Sequence, residues 1–425
     1  MRSSSLEGTI EAPPSKSYTH RAIVATCLFK GVSRISRPLF SDDTEATIDA
    51  CRALGSSIKI TGSVLSVDGE SFLSVSAKEI DCRESGSTIR FLTPVAALSR
   101  SKTVMSAQGS LRNRPMQPIL EALRKLGVKC HSESGDGRPP LVIEGRGIPG
   151  GKTSLPGNVS SQFISGLLFA SPLAAKNVEI SVISPLESKP YVLMTLNVIK
   201  KHGIRCDVSR NLREYRIPAM QEYGRCNHLV PGDFSSASFP LVAAAVTRSE
   251  VTVRNLATQE EQPDQLILGI LRDMGVALSV RDNSVTVSPN SMIGRKIDVR
   301  DCPDLVPILA VAGSFAKGRT LIKGAGRLRI KESDRLSSIT SELSKMGAKI
   351  VEGRDSLTVE GPTGLKGAVA DSHGDHRIVM ACAVAALGAQ GVTKINNAEC
   401  IKKSYPSFIV DMKRLGADMR WVETP

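Results

Sequence analysis

The chain has 425 residues, of which 41% are hydrophobic, 23% charged and 4% aromatic. Because one hydrophobic core rarely grows beyond about 250–300 residues, this length predicts two domains. The 55 lysines and arginines outnumber the 42 aspartates and glutamates, and the net charge of +13 indicates an anionic partner. The cations are spread along the chain, whereas nucleic-acid-binding proteins often group them in basic runs. The pattern therefore favours small anions over nucleic acid.

The nine cysteines are scattered, and no Cys-x-x-Cys motif occurs. A thiolate metal site is therefore not expected, and the pattern is typical of reduced thiols in a cytoplasmic protein. The N-terminal stretch lacks the apolar core of a secretory signal. The longest apolar stretch, at 378–389, is too short for a bilayer span of roughly 20 residues, so no membrane partner is expected.

The first predicted elements are a strand at GTIEA, ended by two prolines, and a helix that starts near Ser15. Lys16, Ser17 and Arg21 lie on or just before the first turns of this helix. Cations there oppose the helix dipole, so local helix stability does not explain them. An anion bound at the helix N-terminus would explain them, and a serine cap followed by solvated cations is the alternative.

Two further helices of the first half begin in a similar way. Small residues at 85–88 precede an apolar helix with Arg90 in its first turn, and Ser160, Ser161 and Gln162 open another apolar helix. Small residues let backbone N–H groups approach an anion closely, and hydroxyl groups can hold phosphate oxygens. Plain capped helix starts are the alternative interpretation of both segments.

Other candidate binding residues lie in predicted loops. Arg112 and Arg114 precede Pro115, which can start a helix, and arginine suits bidentate contact with carboxylate or phosphate. Ser188 lies in the loop ISPLESKPYV, and Lys403 precedes a proline that blocks helix continuation.

In the second half, aspartates stand before two apolar helices. Asp304 is interpreted either as a helix cap or, at a buried helix start, as a general base. Asp375 is a predicted cap, with His376 and Arg377 in the first turn of the helix that follows.

The stretch RLRIKESDRL, at 327–336, mixes four cations with two carboxylates. The apolar residues that follow it predict a helix beginning at about Asp334, so Lys331 and Glu332 lie in the preceding loop and Arg335 in the first turn. An ion-paired helix face would need these charges inside the helix at spacings of three or four. The stretch is therefore interpreted as a loop that presents charges to a ligand.

One local pattern recurs about every 70 residues: a helical end with Lys or Arg, then glycine, then a strand-like segment. Cations favour the carbonyl end of a helix, and glycine favours the left-handed position after it. The six glycines are Gly55, Gly127, Gly203, Gly275, Gly347 and Gly416. Six copies of one supersecondary unit are therefore predicted, with six coincidental helix ends as the alternative.

The repeats and two proline-containing joints predict the domain organisation. Three copies precede residue 228 and three follow it, and both GTIEAPP and the segment at 228–242 read as joints. One lobe is therefore predicted over 14–228 and the other over 1–13 plus 229–425. A cleft between the lobes is the expected ligand site.

The motifs PSKSYTHRA, ESGSTIRFL, RNRPM, GNVSSQF, SKPY, CPDL, LRIKESDR, GDHR and KKSYP occur in this order. In sequence and order they resemble the 5-enolpyruvylshikimate-3-phosphate synthase family, and the resemblance spans nearly the whole chain. It implies an α/β (α+β) fold, an inside-out α/β barrel of enolpyruvyl transferase type, with three βαβαββ-type repeats in each of two lobes.

The resemblance also implies a reaction. The enolpyruvyl group of phosphoenolpyruvate would pass to the 5-hydroxyl of shikimate 3-phosphate, with release of phosphate, by addition and elimination through a tetrahedral intermediate. This is the sixth step of the shikimate pathway of aromatic amino acid biosynthesis. It implies no cofactor and no metal, a monomer, a cytoplasmic enzyme, and glyphosate as an inhibitor to be tested.

Site residues follow from the resemblance motif by motif. The implied catalytic residues are Asp304 as base for the 5-hydroxyl, and Glu332, either alone or together with Lys16, for the proton on the methylene carbon. The implied contacts of shikimate 3-phosphate are Lys16, Ser17, Arg21, Ser160, Ser161, Gln162, Ser188, Asp304 and Lys331. Those of phosphoenolpyruvate are Lys16, Gly86, Arg90, Arg114, Gln162, Arg335, Arg377 and Lys403.

Two positions depart from the family pattern. Arg327 stands where many members have asparagine, and Glu84 stands where some members have asparagine.

A UDP-N-acetylglucosamine enolpyruvyl transferase is the nearest alternative, but the cysteine that precedes the Arg-Pro of that family is absent near Arg114. RNA 3′-phosphate cyclase lacks PSKS and KESDR. A non-enzymatic binder of anions or nucleic acid is the alternative of another class, and steeply salt-dependent DNA binding would support it.

Overall fold

The computed structural model describes residue 1 and residues 5–74, 79–258 and 262–422. Contacts divide the chain into two compact units, one made of Met1–Pro13 with Pro231–Pro425 and the other of Pro14–Val230. Helices and strands alternate along both units, which gives a mixed α/β architecture. No helix within the described ranges is long and apolar enough to cross a membrane.

The strands are short, and most have two to six residues. In chain order they are β1 (Glu7–Glu11), β2 (Val32–Ser36), β3 (Ser57–Thr61), β4 (Val64–Asp68), β5 (Glu79–Asp81), β6 (Lys102–Ser106), β7 (Cys130–Ser132), β8 (Leu141–Glu144), β9 (Gly151–Leu155), β10 (Val178–Val182), β11 (Asp207–Val208), β12 (Glu214–Ile217), β13 (His228–Leu229), β14 (Glu250–Arg254), β15 (Ala277–Arg281), β16 (Ser284–Ser288), β17 (Lys296–Asp298), β18 (Gly318–Lys323), β19 (Lys349–Glu352), β20 (Ser356–Gly361), β21 (Val369–Asp371) and β22 (Lys394–Asn396).

The helices fall into two alternating types, amphipathic and buried. In chain order they are α1 (Lys16–Cys27), α2 (Asp42–Ala53), α3 (Gly86–Ala96), α4 (Gln117–Lys125), α5 (Ser161–Ala170), α6 (Lys189–Lys201), α7 (Phe234–Thr247), α8 (Leu266–Asp273), α9 (Val306–Phe315), α10 (Arg335–Lys345), α11 (His376–Leu387) and α12 (Phe408–Arg414).

The even-numbered helices all end in the way the sequence predicts. Each carries Lys or Arg in its last turn and is followed by one of the six repeat glycines, whose φ lies between +81° and +108°. After α10, the N–H of Gly347 donates to the carbonyl of Ser344, and the N–H of Ala348 donates to that of Leu343, both at 2.9 Å. This pair of bonds satisfies the last carbonyls of the helix, and glycine takes the left-handed conformation without steric cost.

The odd-numbered helices are buried on nearly all sides and form the cores. In the unit Pro14–Val230, α3 packs against α5. The rings of Phe91 and Phe169 meet there edge to face, with their centroids 5.4 Å apart. In the other unit, α11 packs against both α7 and α9. A helix buried all round exposes only its ends to polar partners, so its N-terminus is the place where polar chemistry can gather.

The sheets repeat one topology. Four-stranded sheets have the orders β13-β2-β4-β3, β5-β6-β8-β7, β9-β10-β12-β11, β1-β14-β16-β15 and β17-β18-β20-β19, and β21 pairs with β22 alone. In each four-stranded sheet a parallel pair is followed by an antiparallel hairpin, as in β1∥β14 with Glu7 opposite Glu250. Strand β1 thus completes a sheet of the unit that contains β14, and β13 completes one of the unit that contains β2.

The sixth repeat departs from the expected pattern. A strand follows each of the first five repeat glycines, but none follows Gly416 among the described residues. In the other copies this strand is stabilised by pairing with the next strand of a hairpin. The described chain after Gly416 contains no such partner strand, which explains why the prediction of a strand there is wrong.

Candidate active site

In the unit Pro14–Val230, the cation Lys16 is held at the start of α1. Its Nζ lies 2.7 Å from Oδ2 of Asp43, in the first turn of α2. The side chain of Ser15 caps α1 by accepting from the N–H of Tyr18. Both charged side chains are largely buried, with 14% and 12% of their surface exposed. The carboxylate therefore holds the ammonium group at the N-terminal end of the helix, where the dipole alone would repel it.

Arg21, one turn later, is almost fully buried. Its Nε donates to Oγ1 of Thr195 at 2.8 Å, and its two Nη atoms donate to the carbonyls of Ser17 at 2.8 Å and Tyr191 at 3.0 Å. All three of these acceptors are neutral. Burial lowers the pKa of Arg21 to about 10, so the guanidinium still carries its charge at neutral pH. A buried cation with neutral neighbours favours an anionic ligand.

A second group joins α3, α5 and the loop before α4. Arg90 Nη1 donates to Oε1 of Gln162 at 2.7 Å, and Gln162 Nε2 donates to Oγ of Ser87 at 2.7 Å. A Cβ added at Gly86 would lie 2.9 Å from Nη1 of Arg90 and 3.0 Å from Nη1 of Arg114. The bare backbone of Gly86 therefore lies directly against two guanidinium groups.

The serines predicted to bind phosphate stand at two helix starts. Ser160 caps α5 by accepting from the N–H of Gln162 at 3.3 Å, and Ser161 is buried in the first turn. Ser188 is buried at the start of α6 with a φ of +57°. A left-handed conformation at a residue other than glycine costs about 1 kcal/mol, which suggests a functional constraint on this turn.

In the other unit, one buried guanidinium gathers three carboxylates. Arg335 Nη1 lies 2.7 Å from Oδ1 of Asp304, Nη2 lies 2.5 Å from Oε2 of Glu332, and Nε lies 2.7 Å from Oδ2 of Asp375. Burial opposes the charge of Arg335, but Asp375, Glu332 and Asp304 outweigh it and raise the pKa of Arg335, so it stays charged. The guanidinium therefore offsets the mutual repulsion of the three carboxylates.

Asp304 is also approached by two further cations. Arg377 Nη2 lies 3.2 Å from its Oδ2, and Lys331 Nζ lies 3.9 Å from its Oδ1. Burial opposes ionisation, but Arg377, Lys331 and Arg335 outweigh it and hold the pKa of Asp304 well below its usual value. Burial, reinforced by nearby Arg335 and Arg327, lowers the pKa of Lys331 to about 8.

The turn before α9 shows that Asp304 is not a helix cap. It lies in a short 3₁₀ turn, Pro303–Leu305, and the cap position of α9 is occupied by Leu305 without a side-chain bond. Asp375 does cap its helix as predicted, because its Oδ1 accepts from the N–H of Arg377 at 3.0 Å. Lys403 joins the same group through a 3.2 Å bond from its Nζ to the carbonyl of Gly374.

The stretch at 327–336 divides as the sequence predicts. Helix α10 begins at Arg335, with Asp334 as its cap, so Lys331 and Glu332 lie before the helix. Arg329 is tied to Asp334 and Glu352 at 2.8 and 2.7 Å. Arg327 donates from Nη2 to the carbonyl of Arg300 at 2.6 Å. This contact gives Arg327 a structural role in holding the loop.

Some residues of the two groups were missed by sequence reasoning. Asp43 was not singled out, and Asp375 was interpreted as a cap only. Asp264 is buried and accepts a short hydrogen bond from Oγ of Ser235. Burial and the nearby Asp304 raise the pKa of Asp264 to about 7. In the sequence, Asp43, Asp264 and Asp375 are each an acidic residue in or beside the first turn of a helix. Such residues are common helix caps, so the sequence indicates their role in the site only weakly.

The repeated fold and the cations at the helix N-termini define a class of protein. Comparisons with known proteins identify that class. The enolpyruvyl transferase NikO from Streptomyces tendae superposes with a TM-score of 0.81 at 16% identity over 100% of this chain and 98% of that chain, which establishes the fold. An EPSP synthase from Acinetobacter baumannii superposes with a TM-score of 0.83 at 26% identity over 97% of this chain and 96% of that chain.

Sequence comparison gives the family. The family model EPSP synthase (3-phosphoshikimate 1-carboxyvinyltransferase) matches residues 1–412. A 3-phosphoshikimate 1-carboxyvinyltransferase from Methanocella arvoryzae is 46% identical over 413 residues, which are 96% of each chain. The chain belongs to the EPSP synthase family. The predicted α/β fold, the transferase activity and the preference for this family over UDP-N-acetylglucosamine enolpyruvyl transferases are thereby confirmed.

Proposed function

We propose that the two groups of residues act together on one pair of substrates, phosphoenolpyruvate and shikimate 3-phosphate. The first group comprises Lys16, Ser17, Arg21, Gly86, Arg90, Arg114, Ser160, Ser161, Gln162 and Ser188. The second comprises Asp304, Lys331, Glu332, Arg335, Arg377 and Lys403. Each substrate carries a phosphate and a carboxylate, which fits the excess of cations in both groups.

The observation that carries the proposal is the pair of carboxylates, Asp304 and Glu332, bridged by Arg335 at 2.7 and 2.5 Å. The reaction needs a base that removes the proton of the 5-hydroxyl and an acid that protonates the methylene carbon. Two carboxylates placed on one fixed guanidinium can take these two roles. We assign the base to Asp304 and the acid to Glu332, with Lys16 beside the phosphoenolpyruvate.

Substrate binding would activate Asp304. In the free site its charge is neutralised by Arg335, Arg377 and Lys331, which makes it a weak base. An arriving phosphate or carboxylate would add negative charge beside these cations and so offset their effect on Asp304. Its pKa would rise, and with it the ability to accept the hydroxyl proton. The base would thus become effective only when the anionic substrate is present.

The same guanidinium groups would stabilise the charge that develops during reaction. Addition of the hydroxyl oxygen to the substituted carbon gives a tetrahedral intermediate that keeps its phosphate and carboxylate. Elimination then breaks the bond from carbon to the phosphate oxygen, and phosphate leaves as an anion. Glu332 takes back a proton from the methyl group formed in the addition, so that the carbon–carbon double bond of the product re-forms. Preorganised cations such as Arg335 and Arg377 contribute most at this stage because they need no reorganisation. No metal and no organic cofactor take part in this scheme.

We propose a cytoplasmic enzyme, which is supported by the nine cysteines, all of which are free thiols in the structure. We propose a monomer on the family resemblance alone. Glyphosate, which carries a phosphonate and a carboxylate, is proposed to compete for the phosphoenolpyruvate contacts at Gly86, Arg90 and Arg114.

Asp304→Ala and Glu332→Gln test the assigned roles. Each variant is expected to lose turnover by about 10²–10⁴-fold, the range for loss of a general acid or base. Affinity for shikimate 3-phosphate, measured by calorimetry, should stay within a few fold. In Asp304→Ala it is expected to rise rather than fall, because a carboxylate that competes for the cations is removed.

Matched controls are available on the same unit. Glu352→Gln removes a carboxylate that pairs with Arg329 at the far end of the loop, and Asp298→Ala removes one that forms exposed ion pairs with Arg300 and Lys323. Both controls should keep near-normal turnover. Near-normal turnover in Asp304→Ala or Glu332→Gln would refute the role assigned to that residue.

A further inference from the structure

Three metal-ligating side chains that are not among the residues assigned to the reaction meet in the unit Pro14–Val230. They are His202, Cys226 and His228, and one ligand atom of each lies within 4.8 Å of the others. The two Nε2 atoms face each other at 2.9 Å. Both histidines are buried, with 1% and 3% exposed, whereas Cys226 is partly exposed. The cluster is therefore open to solvent on its thiol side.

The fold brings the three residues together from two segments. His202 is the residue that closes α6, directly before the repeat glycine Gly203. His228 opens strand β13, where it is fixed opposite Ile35 of β2. The connecting segment is held to the helix end, since the N–H of Gly224 donates to the carbonyl of His202 at 2.7 Å. These backbone contacts fix the positions of both rings.

Hydrogen bonds on the outer side of the rings orient the inner nitrogens. Nδ1 of His202 lies 2.8 Å from the carbonyl of Gly224, which can only accept, so this nitrogen carries the proton and Nε2 of the neutral ring carries a lone pair. Nδ1 of His228 lies 3.2 Å from Oη of Tyr18, which in turn accepts from Nζ of Lys201 at 3.0 Å. Metal-bound histidines typically have such a partner on the second nitrogen.

Both rings are suited to be ligands rather than cations. Both rings are buried, and burial favours the neutral imidazole form that a metal ion binds. Without a metal, Nε2 of His228 carries a proton and donates it to Nε2 of His202. With a metal, the proton of His228 resides on Nδ1 and points to Tyr18, whose oxygen has lone pairs for this donor and for Lys201.

The donor set selects the kind of ion. Two imidazole nitrogens and one thiolate suit Zn²⁺, whereas Ca²⁺ and Mg²⁺ require oxygen ligands. Tetrahedral Zn²⁺ with bonds of about 2.0–2.1 Å would set the two nitrogens about 3.4 Å apart. The rings therefore need to separate by only about half an ångström to admit the ion. The exposed side of Cys226 leaves room for water as the fourth ligand.

We propose that His202, Cys226 and His228 bind one Zn²⁺ ion, which ties the C-terminal end of α6 to the segment that leads into β13. The ion would stabilise the unit Pro14–Val230, because binding to the folded chain adds its free energy to folding. Thiol spacing alone did not indicate this site, since its one cysteine lies two residues before one histidine and 24 residues after the other.

Metal titration of the full chain tests the proposal. After treatment with a chelator and dialysis, the protein is titrated with Co²⁺ as a spectroscopic probe and with Zn²⁺ in competition with a chromophoric chelator. We expect one ion per chain, a thiolate-to-cobalt charge-transfer band in the near ultraviolet, and a higher Tm with Zn²⁺.

The variants decide which residues hold the ion. Cys226→Ser should remove the charge-transfer band, weaken Zn²⁺ binding by at least about tenfold and abolish the rise in Tm. Cys206→Ser, a partly exposed cysteine of the same unit outside the cluster, should retain all three. The absence of stoichiometric Zn²⁺ binding, or equal binding by Cys226→Ser and the unsubstituted chain, would overturn the proposal. Because Cys226 is partly exposed, its substitution is not expected to prevent folding.

Discussion

Lys331 is a cation of the site whose charge changes close to neutral pH. Its Nζ lies 3.9 Å from Asp304, and burial lowers its pKa to about 8. The charged form of the side chain exists below that pKa and is lost above it. Since both substrates are anions, loss of this charge should weaken their binding at alkaline pH.

The pH dependence of kcat/KM checks this role. We expect kcat/KM to fall by about tenfold per pH unit above about 8, because this quantity reports the ionisations of the free enzyme. In Lys331→Arg the guanidinium stays charged, so the fall should move above about pH 10. Lys323→Arg, at an exposed lysine, is the control. An unchanged profile in Lys331→Arg would show that another group causes the fall.

Gly86 gives a prediction for inhibitor binding. A methyl group there would lie 2.9 Å from Arg90 Nη1 and 3.0 Å from Arg114 Nη1, so both guanidiniums would have to move. We expect Gly86→Ala to raise the inhibition constant of glyphosate by about tenfold or more, equivalent to about 1.4 kcal/mol. Gly269→Ala, at an exposed glycine of α8, is the control. An unchanged inhibition constant in Gly86→Ala would contradict the predicted crowding.

Among individual site residues, the sequence predicted those that stand in local motifs and did not predict those whose role depends on a distant partner. Lys331, Glu332 and Arg335 were recognised from one stretch. Asp43 acquires its role only by approaching Lys16, which is 27 residues away. Asp304 was open to two interpretations, because a carboxylate before a helix looks the same whether it caps the helix or pairs with Arg335.

The helix ends are the elements that the sequence predicts best. Gly347 has a φ of +89°, and no atom lies within 4 Å of a Cβ built on it. Gly347→Ala is therefore expected to destabilise the protein through backbone strain alone, by about 1 kcal/mol. Gly269 lies inside α8 and also has open space around a Cβ. Gly269→Ala should stabilise the protein by about 0.5–1 kcal/mol.

Urea unfolding of the two variants measures this contrast. Both substitutions add the same methyl group in the same unit without contact, so opposite signs would isolate the backbone conformation as the cause. Destabilisation of similar size in both variants would instead point to a general cost of alanine.

Strand pairing was less accessible to sequence reasoning than helix ends. The left-handed glycine and the basic last turn are local features, which a short window of sequence contains. The pairing of β1 with β14 joins residues more than two hundred positions apart, and its register depends on packing. The missing sixth strand has the same origin, because a strand requires a partner as well as a suitable sequence.

For the whole molecule, the repeated topology and the ordered motifs agree on one family. The six-fold repeat predicted from glycine spacing appears as six helix ends with one geometry, and the resemblance in nine motifs appears as a family match over residues 1–412. The cluster of His202, Cys226 and His228 could not be found in this way. Its members belong to two segments, and only the fold brings them together.

The central claim is that this chain transfers the enolpyruvyl group to shikimate 3-phosphate. The most direct test measures phosphate release from phosphoenolpyruvate in the presence of shikimate 3-phosphate and, separately, of UDP-N-acetylglucosamine, without added metal. We predict stoichiometric phosphate release with shikimate 3-phosphate and none above background with the nucleotide sugar. Phosphate release with UDP-N-acetylglucosamine alone would contradict the account.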